Sequence, residues 1–326
     1  MLTDRVTNQS KTQWMTEEGQ QAMNGFHQID IADRAQIETI LNANRSQASE
    51  LTFAYLYMWQ FDYRFQFTLH EGHLMVVSES ACDIPFALCP LPADGRFEPD
   101  AFSRALHWLH GCFSGEGKQL VFGRVEESRL PWFNQVPWAD FTIERSDRTA
   151  DYVYEGSALR ELGGRKYGSK RNHISQFVRQ YPGYEVVPVD PDNLGECRRI
   201  IDEWCRAHDC TCDSPESCEK YACNKMLDVW EKLDMKGILI RIAGRFEAFT
   251  IGERLNADTA VVRYEKGNAD FHGIYTVLNR DYLVKDWPDA AFVNREEDMG
   301  IEGLQKAKLS YHPCRMTVKY TLFLQY

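Results

Sequence analysis

Between residues 237 and 264 the chain carries three extended apolar segments in quick succession, over 237–243, 245–254 and 259–264. Only Ala243-Gly244 and Asn256-Ala257-Asp258 connect them. Connections that short cannot carry a strand past its neighbour, so the segments pair in order as an antiparallel meander. The pattern then changes. Residues 273–284 have helical spacing, 291–294 are extended, 301–309 are helical, and 316–324 form a closing strand. A meander followed by strand–helix–strand units calls for a mixed sheet with helices on its faces.

Upstream, the spacing predicts a strand over 152–154, a helix over 168–181, a strand over 184–188, and helices over 193–208 and 215–233. Residues 149–326 thus read as one α/β unit, and residues 26–148 as a smaller one. The smaller unit has helices over 31–43 and 51–59, extended segments over 63–69, 73–78 and 85–88, a helix over 102–113, and strands over 119–122 and 141–144. The change of unit is expected in the polar stretch 146–151, and residues 1–25 read as a polar tail. The order of elements in the second unit resembles that of the GNAT acyltransferase fold. The expected fold class is therefore α/β (α+β), with two tandem GNAT-like domains whose mixed sheets are flanked by helices. That duplication rests on element order alone, because no internal sequence repeat supports it.

A chain of 326 residues exceeds one ordinary core and suits two domains. No uninterrupted apolar run approaches the roughly 20 residues that cross a bilayer. Residues 1–25 lack the apolar stretch of a signal peptide, so a cytoplasmic location is expected. The net charge of −11 excludes coating of nucleic acid through bulk electrostatics. The charge is uneven: residues 151–326 hold 25 Lys and Arg against 28 Asp and Glu, and residues 1–150 hold 12 against 20. A local basic site in the second unit is compatible with that split. Five of the ten cysteines lie close together, at Cys205, Cys210, Cys212, Cys218 and Cys223. They lack the paired CxxC knuckles of a zinc site, so no metal is expected and reduced thiols are the reading.

Three segments carry candidate chemistry. The first runs from Gly163 to His173, with Arg165, Lys166, Lys170 and Arg171 set among three glycines at a helix start. Glycines allow close backbone approach, a helix start favours anions, and Lys and Arg bond phosphate, so Lys166, Lys170, Arg171 and Asn172 are candidate phosphate ligands. A solvated basic turn has the same composition. The second is Val261 to Tyr275, where a strand ending in Glu265 and Lys266 leads through His272 and Gly273 into a helix. Side chains alternate along a strand, so Glu265 and Lys266 face opposite sides. His272 and Gly273 are candidate donor-phosphate contacts, while the bulk of Tyr275 hinders a pyrophosphate there. The third is Phe292 to Pro313: a strand, the turn Asn294-Arg295-Glu296-Glu297-Asp298, then an amphipathic helix bearing Lys306 and Lys308. Acidic residues at a helix start also serve the helix dipole alone.

Together these stretches resemble the phosphatidylglycerol lysyltransferase C-terminal domain family. The resemblance lies in GGRKYGSKRNHISQF, VVRYEKGNADFHGIYTVLNRDYL and FVNREEDMGIEGLQKAKLSYHPCRMTVKY, with Gln305 where the pattern leads one to expect Arg. Residues 49–59 also look like its soluble two-domain members, so the resemblance covers most of residues 26–326. It implies a tandem GNAT-like fold, with Fem-type aminoacyltransferases as more distant relatives. It also implies transfer of an amino acid from aminoacyl-tRNA to a lipid headgroup, although the multi-pass membrane region of the lipid-modifying relatives is absent here.

The expectation is an acyl- or aminoacyltransferase that needs no cofactor. Aminoacyl-tRNA or acyl-CoA is its donor, tRNA its macromolecular partner, and a small amine, hydroxyl or lipid headgroup its acceptor. Lys166, Lys170, Arg171, Asn172, His272 and Gly273 would hold the donor. Glu265 or Glu297 would orient or deprotonate the acceptor, and Asn294 or Lys308 would bind the carbonyl oxygen. Lys266, Arg295, Tyr275 and Tyr311 would line the substrate. A non-catalytic module that binds an anionic ligand is the competing expectation.

Overall fold

The computed structural model describes residues 23, 25–79, 84–208, 210 and 218–325. The tail expected over 1–25 lies almost wholly outside these residues, as does Cys212. Among the described residues thirteen strands form: β1 His27–Gln28, β2 Gln66–His70, β3 His73–Ser78, β4 Phe86–Ala87, β5 Leu91–Pro92, β6 Val121–Glu126, β7 Asp140–Glu155, β8 Glu185–Pro188, β9 Lys236–Ile242, β10 Arg245–Arg254, β11 Thr259–Gly267, β12 Phe292–Asn294 and β13 Arg315–Gln325. All belong to one sheet, ordered β1-β2-β3-β4-β6-β13-β7-β12-β11-β10-β9-β8, with β5 on β3. The expected meander is β9, β10 and β11, paired antiparallel in order. The β4–β6 and β11–β12 pairs are parallel, so the sheet is mixed and has helices on both faces, as expected.

The two halves meet along β7 and β13. The start of β13, Arg315 to Thr317, pairs with Val153 to Asp151. Its later residues pair with Ser146 to Asp140 on one side and with β6 on the other. The two strands expected over 141–144 and 152–154 are therefore one strand of 16 residues. The polar stretch between them is a bulge: residues 147–150 stand opposite Val318 alone. A bulge ejects side chains to solvent, which explains why Asp147 and Arg148 read as a linker.

Helix Phe53–Tyr63 is apolar nearly all round, the mark of a buried helix, and the Thr52 hydroxyl caps it by accepting from the Tyr55 N–H at 3.2 Å. It packs with helices Arg34–Asn44, Leu194–Ala207 and Glu219–Asp228 on one face of the sheet. That cluster joins Ile37, Phe53 and Leu56 of the first half to Cys197, Ile201 and Met226 of the second. On the other face, helix Pro99–Gly115 covers the first half through Phe102, Leu106 and Phe113. Helices Gly168–Gln180 and Ile274–Asp286 cover the second through Phe177, Val277 and Leu278.

Charges are buried where the halves join. Lys319, 0% exposed on β13, donates to Glu50 at 2.5 Å and to Asp151 at 2.7 Å. Asp151 also accepts from the Ser49 N–H (2.8 Å), the Ser49 hydroxyl (2.9 Å) and Asn294 Nδ2 (2.9 Å). Glu50 accepts from Arg124 as well. Burial alone would raise the Glu50 carboxyl, but Lys319 and Arg124 overcome it and hold it at about 2. The loop at Ser49 and Glu50 is thereby pinned to strands of both halves. Replacing Lys319 with Met leaves Asp151 buried without a cation and Glu50 with Arg124 alone, and a loss of about 3–5 kcal/mol is expected from urea unfolding at neutral pH.

Candidate functional site

Every side chain of the run from Asn294 to Asp298 has a partner. Asn294 is fully buried on β12 and bonds Asp151 and the Gln47 carbonyl (3.3 Å). Arg295 donates through Nη2 to Glu265 at 2.5 Å. Glu296 accepts from Arg263 Nη1 at 2.5 Å, and Glu297 accepts from Arg124 Nη1 at 3.3 Å. Asp298 accepts from the Tyr152 hydroxyl at 2.6 Å and from the Gly300 N–H at 2.8 Å. The backbone is left-handed at Glu296 (φ 56°) and Met299 (φ 55°), a costly conformation for residues with a Cβ. Lys308, reaching back from helix Glu302–Leu309, holds that shape. Its ammonium donates to the carbonyls of Arg295 (2.5 Å), Glu296 (3.0 Å) and Glu297. Three donors thus meet three acceptors, and none is left for a substrate carbonyl. Burial, with Arg295 close by, pulls the Lys308 ammonium down to about 8.

The position of Glu265 depends on a bulge in β11. Ile251 pairs with Tyr264 and Gly252 with Val262, so Arg263 is an extra residue. Arg263 turns toward helix Phe53–Tyr63 and bonds Glu253 Oε1, the Ser49 carbonyl and the Thr52 hydroxyl. Tyr264 faces the same way, reaching Met58. The alternation restarts there, and Glu265 falls on the opposite face with Arg295 and with Asn279 Nδ2 at 3.2 Å. Lys266 returns to the first face, bonded to Glu219 at 2.7 Å and lying 3.7 Å from the Trp204 ring. The expected opposition of Glu265 and Lys266 is what the strand shows.

A cluster of cations surrounds the Glu265–Arg295 pair. The Lys170 ammonium lies 3.9 Å from the Tyr311 ring centroid, and the Arg295 guanidinium carbon lies 4.9 Å from it. Lys170 also donates to the Ser310 hydroxyl at 2.7 Å. The His173 and His272 rings are 5.0 Å apart. Burial and Arg295 lower the Lys170 ammonium; burial, His272 and Lys170 lower His173. Arg295 itself is held above its usual value, burial being outweighed by Glu265. Its Nε and Nη1 are buried without partners, as is Asn279 Oδ1.

Several residues of the three sequence segments lie elsewhere. Arg171 closes the glycine turn by donating to the carbonyls of Leu162 and Gly164 (2.7 Å). Lys166 and Asn172 are exposed, with the Lys166 ammonium 5.1 Å from the Tyr167 ring. Gly273 has φ +90°, and a Cβ there would stand 2.9 Å from the His173 carbonyl oxygen. Its smallness serves the contact between two helices. The Tyr275 hydroxyl bonds the Gly267 carbonyl at 2.9 Å and accepts from Trp204 Nε1 at 3.1 Å, so the ring spans from the helix start to the end of β11.

Sequence reasoning passed over Glu50, Arg124, Asp151, Lys319, His173 and Asn279. The signal at Lys319 and Asp151 was a lone charge inside an apolar strand, MTVKYTLFL and ADYVY. Such a charge is buried only with a partner. Their partners come from distant segments, so the pairing had no local mark.

The fold, a mixed sheet with helices on both faces, is of the class found in FemX. That structure is 9% identical, with a TM-score of 0.61 over 92% of this chain and 97% of its own. The chain belongs to the phosphatidylglycerol lysyltransferase C-terminal family, which matches residues 42–323. L-PGS from Bacillus licheniformis is 13% identical and superposes with a TM-score of 0.63, covering 89% of this chain and 91% of its own. A conserved protein of unknown function from Bacteroides thetaiotaomicron VPI-5482 is 30% identical, with a TM-score of 0.85 over 92% and 99%. An uncharacterised protein of Mycoplasmoides gallisepticum is 21% identical over 168 residues, 51% of this chain, and the match spans about half (54%) of that curated relative. Among the described residues no helix is long and apolar enough to cross a membrane.

Burial pushes the Glu296 carboxyl from its ordinary 4.5 up to about 7, against the pull of Arg263 and Lys308. A carboxyl with a raised folded value stabilises the fold at low pH and loses that contribution as pH rises through the folded value. Glu296 therefore contributes a fall in stability between pH 4.5 and about 7. Urea titrations across that window should show the fall weakened in Glu296→Gln, which leaves Arg263 paired with Glu253.

Proposed function

We propose that this chain transfers an aminoacyl group from aminoacyl-tRNA to an amine or hydroxyl acceptor, at the cluster of Lys170, Glu265, Arg295 and Tyr311. The observation that carries this reading is the uncompensated positive charge there. Arg295 has two buried nitrogens without partners, and Lys170 shares its aromatic ring. Burial first, and then the neighbouring cations, lower Lys170 and His173. One carboxylate, Glu265, faces this group, so an anion completes it. A phosphate at the acceptor end of a charged tRNA has the right chemistry for Lys and Arg. The family's description as a lysyltransferase supports the same reading.

The acceptor nitrogen or oxygen attacks the ester carbonyl carbon, and the bond from that carbon to the ribose oxygen breaks. Glu265 receives the proton released by the acceptor and returns it to the leaving ribose oxygen. Lys170 and Arg295 hold the donor and oppose the negative charge that develops on the carbonyl oxygen. Asn294, Glu297 and Lys308 act by positioning, since their polar atoms are bonded within the turn and the join of the halves. A lipid headgroup, as in the family's name, is one hydroxyl acceptor of this class.

Acyl-CoA as donor has less support. The residue-sized gap at Gly273 is taken by the His173 backbone, and Tyr275 spans the space between the end of β11 and the helix start. The test is transfer of a radiolabelled amino acid from charged tRNA by the full chain, with Lys170→Met beside it. Lys170 is half-buried at the surface, so the variant should keep its melting temperature. It should lose about ten- to a hundredfold in transfer, the worth of one charge-assisted contact. Binding of charged tRNA should also weaken steeply with salt. Transfer at background with every charged tRNA, while Lys170-dependent binding persists, would leave a binding module. A rise in melting temperature with acetyl-CoA alone would redirect the reading to coenzyme A chemistry.

A further inference from the structure

Helix Leu194–Ala207 carries Cys205 in its last turn, and Cys218 caps helix Glu219–Asp228. The Cys205 thiol has the thiols of both Cys210 and Cys218 within hydrogen-bond reach. The backbone N–H of Cys210 donates to the Cys205 carbonyl at 3.2 Å, so the chain folds back and brings those two residues together. A cavity of about 540 Å³, lined by Asp202, Cys205, Arg206, Cys210 and Lys220, lies over them. Cys210 is exposed and Cys205 half-buried. Among the described residues no group of three His, Cys, Asp or Glu side chains is arranged to hold a metal ion.

We propose that Cys210 and Cys205 form a reversible dithiol–disulfide site, oxidised by a small-molecule disulfide that enters through the cavity. Cys210 is the attacking thiol, because it is exposed at the cavity while Cys205 is half-buried behind it. It loses its proton and attacks one sulfur of the disulfide. That sulfur–sulfur bond breaks, and one thiolate leaves and is protonated. The Cys205 thiol then loses its proton and attacks the Cys210 sulfur, releasing the second thiolate. Two protein thiols give up two electrons and two protons, and the small disulfide becomes two thiols. Burial and the neighbouring Cys210 and Cys218 thiols push Cys205 up to about 12, so it is not the first of the pair to attack. Cys89 and Cys197 are buried and do not line the cavity, so a small disulfide does not reach them there. The site adjoins Trp204, whose Nε1 bonds Tyr275 and whose ring lies under Lys266. Oxidation therefore acts on the helix end that braces the last residues of β11.

The test is incubation of the full chain with oxidised glutathione, then tryptic digestion without reduction. Trypsin cuts after Arg206, so Cys205 and Cys210 leave in different peptides. The expected product joins these peptides with the loss of two hydrogens, and dithiothreitol separates them. Cys210→Ser should abolish the link, Cys205→Ser should trap glutathione on Cys210, and Cys223→Ser should leave the link intact. A link that survives Cys210→Ser, and so runs through Cys212 or Cys218, overturns the proposal. So does the absence of any link in the folded wild-type chain. Neither result depends on the transfer reading.

Discussion

The architecture depends on one buried ammonium. Lys319 sits inside the sheet at the join of the two halves, with Glu50 on one side and Asp151 on the other. An ion removed from water is tolerated only where its partners are fixed in place. Here the partners come from a loop of the first half and from the strand that both halves share. The requirement to pair Lys319 thus sets the register of Ser49 and Glu50 against β7 and β13. Arg124 and Arg263 repeat the device on either side, tying Glu50, Glu297, Glu253 and Glu296 into one polar seam. The apolar cluster of Phe53, Ile201 and Phe249 beneath it draws on both halves of the chain.

The turn from Asn294 to Asp298 is the link between this seam and the candidate site. Its first three residues alternate between opposite sides of the sheet. Asn294 and Glu296 join the seam, while Arg295 crosses to Glu265 and the Tyr311 ring. Lys308 holds the turn from behind through three carbonyls. Arg295 is therefore joined to the seam on both sides through its flanking peptide units. This coupling is a positioning effect: it sets where the guanidinium lies, and the cation cluster around it sets what binds.

Much of the fold was legible. The meander, helix Gly168–Gln180 and β13 follow from hydrophobic period and turn residues, and their observed bounds lie within three residues of those expected. The site was legible in part. Lys170, Glu265, Arg295 and Tyr311 do converge. Arg171, Lys166, Gly273 and Lys266 do not join them, because each is committed to a turn, a solvent face, a helix contact or the far side of the strand. Composition marks a residue as capable of binding an anion, but it does not show which residues are already engaged.

The sequence by itself determined the order of elements, the mixed sheet and the family, because periodicity and turn chemistry act over a few residues at a time. Only the tertiary structure decided that 141–144 and 152–154 are one strand, since β13 pairs with both across a bulge. It alone decided the side on which Glu265 lies, because the extra residue at Arg263 resets the alternation of β11. It alone decided which charges are buried, because their partners include residues as far as 269 positions away. Interactions at such separations leave no trace in local pattern, and they are the ones that build this site.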